Sequence, residues 1–489
     1  MPDAGTRRAG LDVAVDRSTS VSRPVWVAAL TAALVTGMLL RIRTSPDVDL
    51  WLHLRIGDLL RDGVRFGPGP DPLAALADRT YVPTQWLAQV MMSGVHDAAG
   101  VAGIQVVRLV LVTALGGLVL LGCRVVAGPA AAGFATALTM AGTAIAWGER
   151  PQLAGMVLLA ATVAIWWRAS TASVVPWLVV PLTWLWACLH GSWLLGAAVG
   201  AVLVVGGVLD GCWRGRRAVL VAATPVAAVA VAALTPLGSA AVLEPFHVGT
   251  AARLTVNEWQ RPALGNPLLL IVLSACVVAV LGIVRSGDRR WSHGLSVVVA
   301  VVLALWMVRT IAVAAVVVAP AVAHGLDVLA RRRGTGGHVI AGVDPPRPVS
   351  TREKQVWLLA AALVLVLGGS QIVTSEVRAP VADTISDAIA ALPPAAVLAV
   401  DARAVGWTQW AHPERRPMRD LRAEVYSEPV ALAYKDFQEA RPGWQAYAAA
   451  HGVTAVLAYR DGPLDPAMAE DASWSAVAED PRFRLWVKR

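Results

Sequence analysis

The chain has 489 residues, of which 56% are hydrophobic and only 16% charged, with a formal net charge of +8. Soluble domains carry roughly 25% charged residues, and here the apolar residues come in blocks of about 15–20 between short arginine-bearing loops, which excludes a water-soluble globular chain and a disordered one. The charge is almost all arginine, with lysine only at 354, 435 and 488; it gathers in the loops between blocks, as in a positive-inside membrane protein and not a nucleic-acid binder.

Residues 1–23 are polar and read as a cytoplasmic tail. The run 24–40, PVWVAALTAALVTGMLL, has no A-x-A cleavage site and reads as a retained first membrane helix. Further membrane helices are expected near 101–122, 128–147, 152–167, 174–188, 192–209, 218–234, 266–284, 294–308, 310–328 and 356–373, making about eleven. The apolar stretch 294–328 is too long for one span at about 1.5 Å per residue, so it is split into a hairpin at Arg309–Thr310. The segment 84–98, TQWLAQVMMSGVHDA, is amphipathic and is kept on the surface or re-entrant.

With the N-terminus inside, the arginines around 124, 168, 216, 289 and 332 all fall in inner loops. The odd helix count then puts the C-terminus outside. Residues 24–373 form a transmembrane domain whose first outer loop is 41–100, and the chain is a multi-pass protein of the cell inner (plasma) membrane. The Pro/Gly-rich basic stretch 329–355 is an inner linker. From 374 to 489 the composition becomes charged and mixed. Strands are expected at 395–402 and 453–460, helices near 381–391 and 428–450, and a hairpin in the tail. That is enough chain for a small extracytoplasmic α/β domain.

The polar motifs all fall on the outer side: PDVDLWLH (46–53), GPDP (69–72), GERPQ (148–152), LHGSW (189–193), LTPLG (234–238) and VNEWQRP (256–262). Charges near membrane depth are costly, so several on one face point to a pocket. Residues 50–62 have helical periodicity, which puts Asp49 and His53 on one face, four residues apart. One helix cap needs one carboxylate, and Asp47 and Asp49 supply two. One caps and the other is free to act as a general base, with Asp47 favoured as the base.

Glu149–Arg150 is either an exposed hairpin charge pair or part of the pocket. His190 is either a structural hydrogen-bonded residue or a ligand contact. Arg108, about two turns inside its helix, either snorkels or meets an anionic headgroup. The four cysteines have no CxxC spacing, so neither a disulfide framework nor a zinc site is expected. No P-loop, GxGxxG, HExxH or GxSxG is present.

In this order the motifs resemble bacterial polytopic membrane proteins of the GT-C glycosyltransferase superfamily. The resemblance covers roughly 45–325 and, more loosely, the tail. It rests on Asp47, Asp49, Trp51 and His53, then Asp71-Pro72, Gln85-Trp86-Leu87, Arg150-Pro151-Gln152, Cys188-Leu189-His190-Gly191, Thr235-Pro236-Leu237-Gly238 and Glu258-Trp259. Gln85 stands where the family has an acidic residue, and Cys188 stands at a usually polar position.

The resemblance implies a mainly α, GT-C-like fold and transfer of a sugar from a polyprenyl-phosphate donor in the bilayer to an extracytoplasmic glycan, lipid or protein acceptor. It implies an acidic base in the first outer loop, here Asp47 or Asp49. His53, Arg108, Glu149, Arg150, His190, Glu258 and Arg309 are the candidate substrate contacts, and Arg41 and Arg43 are further cations for the departing phosphate. Some members use a divalent metal ion; the sequence shows no ligand set for one.

Two other readings compete. A lipid or glycan transporter would carry internal repeats and paired broken helices, and none are evident. A GT-C-like scaffold without activity would fit the changes at Gln85 and Cys188.

Overall fold

The computed structural model describes residues 21–40, 46–67, 69–247, 256–287, 290–334, 349–375 and 378–489. The polar tail 1–20, Arg41 and Arg43, and most of the 329–355 linker lie outside the described residues.

Proline and small caps set many of the helix starts, because an N1 proline loses no hydrogen bond there. Helix α1 (Arg23–Leu39) and α4 (Pro129–Thr143) both begin with proline in the first turn. Between them lie α2 (Val48–Arg61) and α3 (Trp86–Arg124). The amphipathic segment 84–98 and the expected span 101–122 are one element here, α3. They are joined across a kink at Gly100, whose φ of 60° and ψ of −159° suit only glycine. Only its second part is placed to cross a bilayer, since 39 residues exceed what a membrane core needs.

There follow α5 (Gln152–Ala172), α6 (Val179–Leu189), α7 (Trp193–Leu209), α8 (Gly215–Ala232) and the short α9 (Ala240–His247). Helix α6 starts later than the sequence suggests because Ser173 turns the chain left-handed and Pro176 follows. Next come α10 (Pro267–Ser286), α11 (Trp291–Trp306), α12 (Thr310–Gly334) and α13 (Thr351–Thr374). Asn266 caps α10 through the Leu268 and Leu269 amides, and Ser350 caps α13 through Glu353 N–H. The expected hairpin near Arg309 is present: Met307 is extended, and the Thr310 hydroxyl donates to Met307 O at 2.9 Å.

Seven of these helices, α3, α4, α5, α8, α10, α12 and α13, are long and apolar enough to cross a membrane. Four shorter apolar helices, α1, α6, α7 and α11, accompany them. Helix α12 is the centre of the bundle, buried from Thr310 to His324 against α10, α11 and α4. Helix α13 lies at the periphery, with Leu358, Leu359 and Val366 turned outward, as lipid-facing residues are.

The chain then builds α14 (Asp383–Ala390), β1 (Leu398–Val400), α15 (Ala402–Ala411), α16 (Glu428–Gln438), α17 (Trp444–Ala450), β2 (Ala455–Tyr459), α18 (Leu464–Glu470), β3 (Trp474–Glu479) and β4 (Phe483–Lys488). The expected helix over 428–450 is two helices, interrupted at Arg441-Pro442-Gly443. The four strands form one sheet in the order β1-β2-β4-β3. β1 and β2 are parallel, with Val400 opposite Leu457; β4 runs antiparallel to β2 and β3, and the tail is a hairpin as expected.

This domain does not stand apart from the bundle. Leu50, Trp51 and Leu54 of α2 share one core with Ile385, Ile389, Val405 and Trp407. Gly406 of α15 comes so close that an added Cβ would lie 2.9 Å from Val48 O. The first outer loop fills the remaining space. Ala75 and Leu76 donate to Pro417 O and Met418 O, each at 2.9 Å. Arg422 grips Asp71 at 2.7 and 3.0 Å while its Nε donates to Asp420 at 2.8 Å, all buried. The loop and the domain therefore lie on the same side of the bundle.

Arg422 is the clasp between them. Replacing it with methionine strands two buried carboxylates, and breaking a buried pair from one side costs about 3–5 kcal/mol. The full-length Arg422→Met chain in detergent is expected to unfold at lower temperature and to lose the region after 378 to protease first. Wild-type melting and wild-type cleavage would show that the clasp does not hold the domain.

Candidate active site at the start of α2

The site is organised by the first turn of α2. Asp47 is the N-cap: its carboxylate accepts Asp49 N–H at 3.1 Å. The sequence reading favoured Asp49 as the cap and Asp47 as the free carboxylate; the structure reverses this. Asp47 is held twice more, by Arg150 Nε at 2.8 Å and through its own amide, which donates to Glu149 Oε2 at 3.0 Å. Gly148 makes the approach possible, since a Cβ there would sit 2.7 Å from Asp47 Oδ2.

Glu149 is therefore buried and structural, not an exposed hairpin charge. It also accepts from Gln105 at 2.9 Å and pairs with Arg108 at 3.1 Å. Arg108 further donates to Trp147 O and to Gln105 Oε1. The two span-side candidates thus form a buried support behind Asp47 and do not line the open part of the site.

Arg150 is the hub. Its guanidinium reaches Asp47, Asp49 at 3.0 Å and Glu258 at 3.0 Å. Glu258 is brought in by the short turn Asn257–Trp259, which is tied to the α11–α12 link: Arg309 N–H donates to Glu258 O and Val308 N–H to Gln260 O, both at 3.1 Å. The same link places the Arg309 guanidinium over the Trp259 ring, 5.1 Å from its centre.

Two histidines complete the group. The Gln89 side-chain amide lies 3.2 Å from His53 Nδ1 and 3.3 Å from the Tyr81 hydroxyl. His190, in the turn after α6, accepts the Ser192 amide on Nδ1 at 3.1 Å. A neutral ring that accepts on Nδ1 carries its proton on Nε2, so His190 is a donor there.

The electrostatics separate these groups. Burial pushes Asp49 up to about 6; Arg150 opposes the shift, and Asp47 and Glu258 add to it. Burial lowers His53 to about 4, helped by Arg150, and lowers His190 to about 3, helped by Arg309 and His53. Both rings are neutral at pH 7. Burial works against the charge on Arg150, but Asp49, Asp47 and Glu258 outweigh it and hold the guanidinium above its ordinary value. Arg309 is lowered, chiefly by burial, with Glu258 favouring and Arg150 opposing its charge.

The structure thus gathers Asp47, Asp49, His53, Arg150, His190, Glu258 and Arg309 from five separate stretches of chain. It adds one acid that sequence reasoning missed. Glu424, in the turn Ala423–Val425 of the C-terminal domain, is pushed up to about 7 by burial and interacts electrostatically with Arg309 and Tyr81. It lies in ERRPMRDLRAE, a charged run that reads as a solvated surface.

Among the described residues, no three His, Cys, Asp or Glu side chains are grouped to hold a metal ion. The position among Asp47, Asp49 and Glu258 that a cation would take is filled by the Arg150 guanidinium.

Removing the hub leaves three carboxylates facing one another. Arg150→Met is expected to destabilise the chain by about 1–4 kcal/mol, between a surface and a buried pair because the site is partly open. The loss should be larger at pH 7 than at pH 5. Arg150 holds Asp49 below where burial alone would put it, so the variant keeps the proton to higher pH than the wild type, and the stability difference grows as the pH rises through about 6. Equal losses at the two pH values, read by thermal unfolding in detergent, would rule out carboxylate repulsion as the cause.

Neither a protein-family model nor a curated relative matches the chain. Among solved structures, the chain is similar to the archaeal oligosaccharyltransferase AglB from Archaeoglobus fulgidus in complex with an inhibitory peptide and a dolichol-phosphate, with TM-score 0.46 and 14% identity, covering 89% of this chain and 69% of that one. It is also similar to ArnT from Cupriavidus metallidurans in the apo state, with TM-score 0.43 and 14% identity over 94% of this chain and 97% of that one. The same enzyme bound to undecaprenyl phosphate gives TM-score 0.41 and 13% identity over 95% and 98%.

Proposed function

We propose that this chain is a membrane glycosyltransferase that moves a sugar from a polyprenyl-phosphate donor to an extracytoplasmic acceptor. One observation carries the reading. Asp49, unlike Asp47, is not committed to capping, and its carboxyl is raised to about 6 beside two arginines and two neutral histidines under a folded domain. A carboxylate tuned towards neutrality is suited to take a proton at working pH.

In this reading the acceptor hydroxyl gives its proton to Asp49 as its oxygen attacks the anomeric carbon. The bond from that carbon to the phosphate oxygen breaks on the opposite face, and the electron pair leaves with the phosphate. The anomeric centre inverts. Arg309, which is less saturated by carboxylates than Arg150, meets the charge developing on the phosphate, and the His190 Nε2 proton is available to the same oxygen or to the sugar. Asp47 and Glu149 keep the turn of α2 in place.

Two predictions follow from these roles. Transfer from added polyprenyl-phosphate sugar in membrane vesicles should rise with pH through about 6 and then level, because the protonated Asp49 cannot accept a proton. Asp49→Asn should remove this acid limb and lower turnover by a factor on the order of 10²–10⁴, the usual contribution of a general base. An Asp49→Asn chain with full activity would exclude the base assignment. Wild-type vesicles that consume no donor would exclude the transferase reading in favour of a scaffold.

The sidedness is tested separately. Val477 on β3 is exposed, whereas Cys123, Cys188 and Cys276 are buried and Cys212 partly so. A Val477→Cys chain should react with a membrane-impermeant maleimide on intact cells. Reaction only after permeabilisation would place the domain, and the site beneath it, in the cytoplasm.

A further inference from the structure

A cavity lies away from the Arg150 cluster, between α1, α3, α4 and α13. Its volume is about 640 Å³, and it is partly open, with Gly117, Leu121 and Leu358 exposed among its lining residues. Ala32, Val112, Gly117, Met140, Trp357 and Val364 are among the residues that form its walls. Its few wall hydroxyls need nothing from a ligand: Thr36 and Thr136 each donate within their own helix, to Ala32 O and Ala132 O at 2.8 Å. An apolar cavity of this kind does not hold water well.

Its far end is different. Arg124 and Glu353 pair there through bonds of 2.6 and 3.2 Å, which makes the floor close to neutral. Beside them Lys354, one of only three lysines in the chain, is exposed at the rim in the first turn of α13, two residues from the exposed Arg352.

We propose that this cavity is a binding site for an anionic phospholipid, with one acyl chain between the helices and the phosphate at Lys354. Three features choose this occupant. Three of the four wall helices, α3, α4 and α13, are long and apolar enough to cross a membrane, and the exposed lining residues Gly117, Leu121 and Leu358 sit along them, where acyl chains would lie. The satisfied hydroxyls leave an interior that is apolar apart from the Trp357 indole N–H, and such an interior favours hydrocarbon. Among the described residues Lys354 makes no ion pair, and it stands at the rim, where a headgroup would be; a basic side chain at a membrane surface favours anionic lipid. The site is separate from the Arg150 cluster. It lies at the ends of α3 and α13 remote from the C-terminal domain.

Gly117 offers a clean handle, since a Cβ there would meet nothing within 4 Å. The full chain, purified in mild detergent, is titrated with phosphatidylglycerol or phosphatidylcholine of identical acyl chains and read by native mass spectrometry. The wild type should retain phosphatidylglycerol at about fivefold or more higher occupancy than phosphatidylcholine. Gly117→Trp should lose both lipids, with Gly117→Leu intermediate, while each variant elutes as the folded wild type. Lys354→Glu should keep the residual phosphatidylcholine binding and lose the preference. Wild-type lipid occupancy in Gly117→Trp would overturn the site. Equal occupancy of the wild type by the two lipids would overturn the headgroup assignment, and the proposal with it. Should Gly117→Trp fail to fold, Gly117→Leu and Lys354→Glu decide the matter alone.

Discussion

Three carboxylates share one guanidinium, and much of the architecture exists to make that tolerable. Asp47 and Asp49 come from one helix start and Glu258 from a distant turn, and bare proximity would cost several kcal/mol of repulsion in a partly dry site. Arg150 removes most of it, but only if α2 starts where it does, Gly148 lets Asp47 in, and the 256–260 turn is tied to the α11–α12 link. The buried Arg108–Glu149 pair then fixes Asp47 from behind. Each contact is modest, yet they share members, so disturbing one repositions the rest.

The same sharing explains why the polar motifs converge. They sit at helix ends, and a helix end leaves amides and carbonyls that need partners. In a membrane bundle those needs are met at one face or the other. Here the outer-loop residues meet them at the face covered by the C-terminal domain, while Arg124 with Glu353 and Arg331 with Asp327 do so at the opposite face. The first face collects mutually dependent charges under a cover. The second collects simple pairs at the rim of an apolar bundle.

Much of the helical layout was legible in the sequence because a bilayer leaves little choice. Apolar runs bounded by arginine, proline or glycine gave the existence and order of the apolar helices and many of their ends, and the break near Arg309 followed from length alone. What failed was local. A glycine kink let α3 continue through a segment that periodicity had separated, and a Pro-Gly step cut α16 from α17. At the site, sequence order could say that Asp47 and Asp49 serve different ends but not which end each serves. That depended on Arg150, 101 residues beyond Asp49, a distance visible only after folding. Glu424 was illegible for the same reason: nothing in a charged run says which carboxylate will be turned inward.

The assignment of Asp49 as the base leads to a consequence for the C-terminal domain. What raises Asp49 is first of all burial, and the helix that carries it is held by α15, whose Gly406 rests on the backbone of Val48 and whose neighbours share a core with Leu50 and Trp51. With the start of α2 open to water, the desolvation that lifts the carboxyl would fall away while Arg150 remained, and Arg150 alone pulls the carboxyl down. On the proposed assignment the domain supports the base by holding the start of α2. Its docking through Arg422 and Asp71 also brings Glu424 to Arg309 on the same segment. A domain that merely recruited acceptor could be tethered loosely. One that holds the start of α2 is fixed as this one is, by a buried salt bridge and a shared hydrophobic core.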